Sequence, residues 1–288
     1  MQTVLSILID AIAYGMVLFI VSIGLSVTLG LMRVINLAHG AFAMIGGYFA
    51  SYAVLMLGLS YWLALLLAIA GTVVIAMPLE RLLYRRIYRS HDALAQVLLT
   101  IGITFVVIGM ANYFFGPTLK IIPLPPSLSG PVDIGLRTLP AHRLFVIGVG
   151  AIVALGLWFL IERTDFGTKL RATVDDSAMA DALGVRTETI YLIAFALSVA
   201  LAALGGVIGA EILPIEPYYA LRYMVTFLVV VSVGGAGSIP GALLASLLLG
   251  IADTVGKYLF PDYGDALFYA TVILVVYLFP NGLMGRAD

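Results

Sequence analysis

Apolar residues fill nine stretches of the chain, separated by short polar or glycine-rich interruptions. The stretches cover 6–32, 38–57, 61–80, 93–115, 142–163, 190–212, 222–236, 240–258 and 265–280. Most approach the ~20 residues that a helix needs to cross a bilayer. The seventh is short. It reads as a full span or as a re-entrant half-helix, which is tolerated at membrane depth only where protein or water covers its free backbone groups. The pattern therefore predicts an all-α polytopic transmembrane helical bundle of eight or nine spans, a single domain over 1–288. Met1–Ser6 carries no Lys or Arg and the apolar run continues past residue 30, so the start reads as a first span rather than a cleaved leader.

Composition narrows the class. Charged residues make up 11% of the chain, hydrophobic ones 62%, and the mean hydropathy is +1.11. Soluble domains carry roughly 25% charged residues, so this chain has too little polar surface to face water. A soluble globular enzyme, a disordered chain and a nucleic-acid binder are excluded, and the net charge of −1 adds no reason for a nucleic-acid partner. There is no cysteine, hence no disulfide, thiolate metal site or Cys nucleophile. His39, His91 and His142 are too far apart for a zinc spacing, so no metal site is expected.

The basic residues set an orientation. Segment 80–92 holds four Arg, and 163–188 holds Arg163, Lys169, Arg171 and Arg186. Both are predicted to be cytoplasmic by the positive-inside rule, and the two spans between them keep the parity. Segment 116–141, with Pro117, Pro123, Pro125, Pro126, Pro131 and Pro140 and two basic residues, then lies outside. Arg33 and Arg286 fall inside. Nine spans place the N-terminus outside; eight flip one terminus. Among 30 glycines, Gly205–Gly209 and Gly237–Gly241 fit the GxxxG spacing that lets helix backbones approach, which for most glycines is simple packing. His39-Gly40-Ala41 and Pro240-Gly241-Ala242 each open an apolar stretch, a weak hint of duplicated halves.

Three regions are candidates for function. In 164–189, Thr173 and Asp176 resemble a capping box, apolar positions recur at helical spacing over 174–183, and Gly184 suits a helix C-terminus. A helix of about ten residues is too short to persist alone in water. It rests either on its own protein or lipid headgroups, or in a groove of a cytoplasmic partner. In 30–47, Asn36 and His39 sit among Gly30, Gly40, Gly46 and Gly47 after Arg33. This is either a plain turn or a helix break whose freed N-terminus attracts a carboxylate. The third group is Asp10, Glu211, Glu216, Asp253 and Lys257, ionisable residues in or near spans. Asp253 and Lys257, four apart, are predicted to pair. No phosphate-binding loop exists: Gly256-Lys257 is followed by Tyr258 and has Ile251 where the first glycine belongs. The chain is therefore not an ATPase, and no hydrolase triad or HExxH supports any other enzyme.

Three runs together resemble one family: GLSVTLGLMRVINLAHGAFAMIGGYFA (24–50), RTDFGTKLRATVDDSAMADALGVRT (163–187) and VSVGGAGSIPGALLAS (231–246). They are similar to the permease subunits of ABC importers for branched-chain amino acids, and within them to the shorter of the two permeases, over essentially the whole chain. The resemblance implies a heterodimer with a longer permease and two cytoplasmic ATPase subunits, which bind ATP and Mg. It also implies a periplasmic substrate-binding protein and a multi-pass location in the bacterial inner membrane. This chain itself would hold no cofactor and no catalytic residue. The loop 164–189 becomes the coupling loop, with Ala178, Asp181, Ala182 and Gly184 matching the family's A-x-x-D-A-x-G pattern at the ATPase contact. The substrate path is expected at Asn36, His39 and Gly40 together with Gly234, Gly235 and Gly237, and transport follows alternating access. Relatives that carry urea, amides or other carboxylates leave the cargo open. The rivals are an ion-coupled secondary transporter using Asp10, Glu211 or Asp253, and a purely structural membrane subunit.

Overall fold

A computed structural model describes residues 2–88, 92–133, 138–280 and 282–284. Arg89, His91 and Arg286 lie outside these residues. Each of the nine apolar stretches forms one helix. Helix α1 (Gln2–Ser26) runs on as a wider π turn, Val27–Leu31, and is followed by α2 (His39–Leu55) and α3 (Tyr61–Leu79). Pro78 lies near the end of α3, which continues as a second π turn, Glu80–Tyr84, then α4 (Arg85–Tyr88) and α5 (Ala93–Phe115). The Pro-rich connection contains α6 (Pro126–Ser129) and a small hairpin. In it β1 (Pro131–Asp133) pairs antiparallel with β2 (Thr138–Pro140), Val132 opposite Leu139. Next come α7 (Ala141–Arg163), α8 (Asp165–Asp175), α9 (Ser177–Ala182), α10 (Thr187–Ile208), α11 (Tyr219–Gly234), α12 (Ile239–Leu259) and α13 (Gly264–Leu278).

Six helices among the described residues are long and apolar enough to cross a bilayer: Val4–Leu31, Tyr61–Tyr84, Ala93–Phe115, Ala141–Arg163, Thr187–Ile208 and Ile239–Leu259. Helices α2, α11 and α13, of 17, 16 and 15 residues, are apolar but shorter. The architecture is an all-α polytopic membrane bundle, and these lengths do not by themselves establish eight or nine spans.

Helix α1 is the axis of the bundle, packed by α7, α10, α11 and α12. Its middle turns, from Val17 to Val21, are fully buried. Small residues permit this closeness. A Cβ on Gly205 would lie 2.4 Å from Val21 Cγ2 and one on Gly209 2.5 Å from Val17 Cγ1, so this GxxxG pair seats α10 on α1. Gly206, on the adjacent face, meets the backbone of Ala43 in α2. The second pair behaves differently: Gly237 lies before α12 with φ +82°, and Gly241 faces the Gly234 carbonyl. It shapes a loop rather than a helix face. Outward, α3, α5, α7 and α13 expose apolar side chains such as Val74, Val106, Ile152 and Ile273. Surface of this kind suits hydrocarbon, where no water is lost by exposing it.

Two ends can be told apart. Arg33, Arg85, Arg163, Arg171 and Arg186 gather at one. The Pro-rich connection meets the α10–α11 segment at the other, where Lys120 N–H donates to the Ile215 carbonyl at 2.9 Å. Helices α2 and α11 both begin inside the bundle, each from a tight turn. His39 N–H reaches the Asn36 carbonyl at 3.4 Å, and Tyr219 N–H reaches Glu216 at 3.0 Å. Their caps, Ala38 (φ −78°, ψ 1°) and Tyr218 (φ −94°, ψ 6°), are nearly alike, and Gly40 abuts the Ala220 backbone. From there α2 runs to the Pro-rich end, where Ser51 donates to the Ile121 carbonyl, and α11 runs to the Arg-rich end. The local repeat thus relates 36–40 to 216–220. It does not relate 39–41 to 240–242, because α12 starts from the extended cap of Ser238 (φ −92°, ψ 110°).

Candidate functional site

The break before α2 is built from polar groups on neighbouring helices. After Arg33, residues 34–37 thread into the bundle without helical bonds, and the Ala38 carbonyl accepts the first bond of α2. Their backbone is satisfied from α5: Ile35 N–H donates to Gln96 Oε1 at 3.0 Å, and Thr104 Oγ1 donates to the Leu37 carbonyl at 3.4 Å. Buried Gln96, Thr100 and Thr104 recur every four residues, one polar line on an otherwise apolar helix. Asn36 Oδ1 accepts from the Ala38 N–H at 3.2 Å and from the Tyr84 hydroxyl at 2.8 Å, while its buried Nδ2 has no partner among the described residues. The polar line of α5 and Tyr84 were missed by the sequence reading. The i, i+4, i+8 spacing in α5 was the available signal.

The structure brings Asn36, His39 and Gly40 together, but as a sealed junction. His39 is fully buried, with Nε2 donating to the Val21 carbonyl at 2.7 Å and Nδ1 3.4 Å from Ser198 Oγ. Gly234, Gly235 and Gly237 lie apart from them, at the Arg-rich end. Gly237 N–H donates to Ser26 Oγ at 3.0 Å and packs on Gly30, while Gly235 meets Gly282. There Leu283 N–H donates to the Val233 carbonyl at 2.7 Å, satisfying an end group of α11. Gly237 borders a cavity of about 750 Å³ that it shares with Arg33, Arg171 and Met284.

The segment 164–189, expected to be a coupling loop with one helix of about ten residues over 174–184, forms two short helices. Thr173 is not a cap: it is buried inside α8, its hydroxyl donating to the Lys169 carbonyl at 2.7 Å. Asp176 caps instead, accepting from the Met179 N–H at 2.9 Å, and breaks the chain between α8 and α9. Asp181 Oδ1 accepts from the Thr187 hydroxyl at 2.8 Å and its N–H at 3.3 Å, which ties α9 to the start of α10. Gly184, at φ +86°, ends the segment as expected. Ala178, Asp181, Ala182 and Gly184 are all exposed, and so are the larger Met179 (58%) and Leu183 (78%). Met179 and Leu183 are four residues apart and so form one exposed apolar patch on a segment outside every apolar helix.

The charged residues near the spans are paired at the Pro-rich end. Lys257 bridges Asp253 (2.8 Å) and Asp265 (3.3 Å); Asp10 meets Arg143 at 3.1 Å and Glu216 meets Arg222 at 2.7 Å. Glu211 Oε2 lies 2.8 Å from Nδ1 of buried His142, whose Nε2 donates to the Ile208 carbonyl at 2.9 Å. With Nε2 protonated, Nδ1 needs a proton shared with that carboxylate. Glu211→Ala is expected to cost about 1–2 kcal/mol by orphaning the buried ring. A lower temperature of half-loss in detergent checks this, with Glu211→Gln retaining most of the wild-type value.

The family model described as branched-chain amino acid transport system / permease component matches residues 7–276. The high-affinity branched-chain amino acid permease protein LivH of Escherichia coli is 28% identical over 97% of this chain and 94% of its own length. BraD of Pseudomonas aeruginosa, of the same description, is 29% identical over 98% and 95%. A solved structure, PsaBC from Streptococcus pneumoniae in complex with Fab, superposes with a TM-score of 0.54 at 14% identity. It covers 96% of this chain and 91% of that one. That likeness concerns the fold alone.

Proposed function

The chain belongs to the family of permease components of branched-chain amino acid transport systems, and from this premise we propose that it is the membrane-spanning permease subunit of a binding-protein-dependent ABC importer. It moves branched-chain or related hydrophobic amino acids inward across the bacterial inner membrane. Its partners are a longer permease, two cytoplasmic ATPase subunits that bind ATP and Mg, and a periplasmic binding protein. The Arg-rich end is cytoplasmic. With each break counted together with the short helix that follows it, the nine helices make nine passes and the N-terminus lies outside.

The observation that carries the reading is the exposed apolar face of α9, on the segment that bears the family's pattern. Closure of the paired ATPases moves this face. Asp181 passes the motion to α10 through Thr187, and α10 is seated on α1 and α2 through Gly205, Gly206 and Gly209. The junction at Asn36, His39 and Gly40, and the loop at Gly234, Gly235 and Gly237, bound the substrate path, which opens alternately to the two ends. Alanine at both Asn36 and His39 should cut uptake by the assembled complex; unchanged uptake removes these residues from the path.

The whole reading is tested by radiolabelled leucine uptake into vesicles that hold this chain, the partner permease, both ATPases and the binding protein. Subunits are omitted in turn, with ATP inside and an ionophore added. The expected result is ionophore-resistant uptake that needs ATP and this chain. Uptake by this chain alone, abolished by the ionophore, establishes an ion-coupled carrier instead. ATP hydrolysis without leucine uptake keeps the machine and transfers the cargo to urea, amides or other carboxylates.

A further inference from the structure

Two departures from regular backbone meet at one cavity of the Arg-rich end. The π turn Glu80–Tyr84 closes α3, and π turns of this kind concentrate at functional sites. Arg33 holds φ +53°, the one non-glycine residue with positive φ among the described residues, a strained conformation of the kind that gathers at functional sites. Glu80 and Arg33 both border a cavity of about 900 Å³ between the 32–35 turn, the ends of α3 and α5, and the 173–189 segment.

Glu80 is 3% exposed in the wall of this cavity. Among the described residues it has no hydrogen-bond or ion-pair partner. Of its acidic neighbours in the wall, Asp176 caps α9, Asp181 holds Thr187 and Glu188 pairs with Arg85, while Asp175 is exposed to solvent. Arg85 and Arg81 act on this carboxylate only from beyond ion-pair distance, and a buried carboxylate without a direct partner is costly, so it is placed to meet a cation that enters the cavity. The same wall supplies two guanidiniums without ion pairs among the described residues, Arg33 and Arg186, and an apolar surface from Met32, Val34 and Tyr191. A carboxylate, a guanidinium and an aliphatic surface around one space are the three complements of a free apolar amino acid.

We propose that this cavity binds an apolar α-amino acid arriving from the cytoplasmic end. Its ammonium sits at Glu80, its carboxylate at Arg33 and Arg186, and its side chain on Met32, Val34 and Tyr191. The identity of the ligand and the side of entry rest on the transport reading above. The site is separate from the proposed path, because neither Asn36, His39, Gly40 nor the Gly234–Gly237 loop borders this cavity. Occupancy joins the 32–35 turn to the coupling segment, so amino acid accumulated inside slows further import.

The test is equilibrium binding to the full chain in lipid nanodiscs with three probes: leucine, isoamylamine (the ammonium without the carboxylate) and 4-methylpentanoate (the reverse). Each charge-assisted contact is worth enough that its loss weakens binding at least about tenfold. Glu80→Gln is expected to weaken leucine and isoamylamine by that factor. Arg33→Gly combined with Arg186→Ala should weaken leucine and leave isoamylamine unchanged. Glycine is at ease at φ +53°, so the turn keeps its backbone in this variant, and monodisperse elution checks the fold of both variants. Equal binding by the wild type and Glu80→Gln overturns the proposal, and so does amine binding that falls with the arginines. Absence of leucine binding to a chain that supports leucine uptake in the full complex overturns it as well. Failure of leucine uptake strikes the transport reading instead. In that case Glu80-dependent isoamylamine binding sustains the cavity site, and its absence overturns it.

Discussion

Replacing Gly206 by valine leaves almost no folded permease in the membrane. A Cβ at this position would stand 2.0 Å from the Ala43 carbonyl oxygen and 2.7 Å from its carbon. Both are backbone atoms in the middle of a helix, so no rotamer change relieves the clash. Overpacking of this kind costs about 1–3 kcal/mol even where side chains can yield, and here the helices themselves must part. Within a bilayer no hydrophobic force restores the lost contact, because lipid is as apolar as the partner helix. Since Gly205 and Gly209 on the same helix are seated on α1, moving α10 away from α2 also disturbs the axis of the bundle. The control is Gly156→Ala in α7, where nothing lies within 4 Å of an added Cβ. There alanine is expected to stabilise the helix by roughly 0.5–1 kcal/mol. The measurement is the yield of monodisperse protein on fluorescence-detected size exclusion. Wild-type yield for Gly206→Val would show that the α2–α10 contact is looser than described.

Leu183→Asp abolishes ATP-driven uptake and leaves the permease intact. Leu183 is 78% exposed, and its backbone N–H bonds to Met179, so the helix end does not depend on its side chain. The damage falls on whatever covers that side chain. A central apolar contact in a protein interface contributes about 2 kcal/mol or more, and a buried aspartate with no partner adds its own desolvation cost. Together these predict at least a thirty-fold weaker hold on the ATPase by the same principle of concentrated interface energy. The readout is co-purification of the ATPase subunits with a folded, tagged permease. Full recovery of the ATPases with Leu183→Asp would remove α9 from the contact. Asp181→Ala gives a different phenotype. It cuts the tie from α9 to Thr187 and leaves the exposed apolar side chains of Met179 and Leu183 in place, so the ATPases stay bound while uptake per ATP hydrolysed falls.

The helices were legible because each apolar stretch is bounded by something that ends a hydrophobic run: Gly58 after α2, the arginines after α3, Gly116 after α5. Local competition was harder to read. Thr173 and Asp176 offered two caps three residues apart. Thr173 lost because its side chain is buried inside α8 and its carbonyl accepts from the Tyr191 hydroxyl at 3.3 Å. The repeat was misplaced for a related reason. The segments N-L-A-H-G at 36–40 and E-P-Y-Y-A at 216–220 share a backbone turn and no residue, so no comparison of letters finds them. The grouping of Asn36 with Gly234–Gly237 joined segments two hundred residues apart on resemblance alone, and their true spacing is a tertiary fact. Glu80 was counted among the residues of a basic loop, where its charge was visible and its burial was not.

The contact of Gly40 with Ala220 gives the bundle a fulcrum. Two short rods leave it in opposite directions, α2 to one face of the membrane and α11 to the other, and neither has slack where they touch. A load applied to the far end of α11 therefore tilts α2 as well, in the manner of a beam resting on a knife edge. Because α2 is also clamped to α10 through Gly46 and Gly206, such a tilt carries α10 with it, and the three helices answer a load as one body.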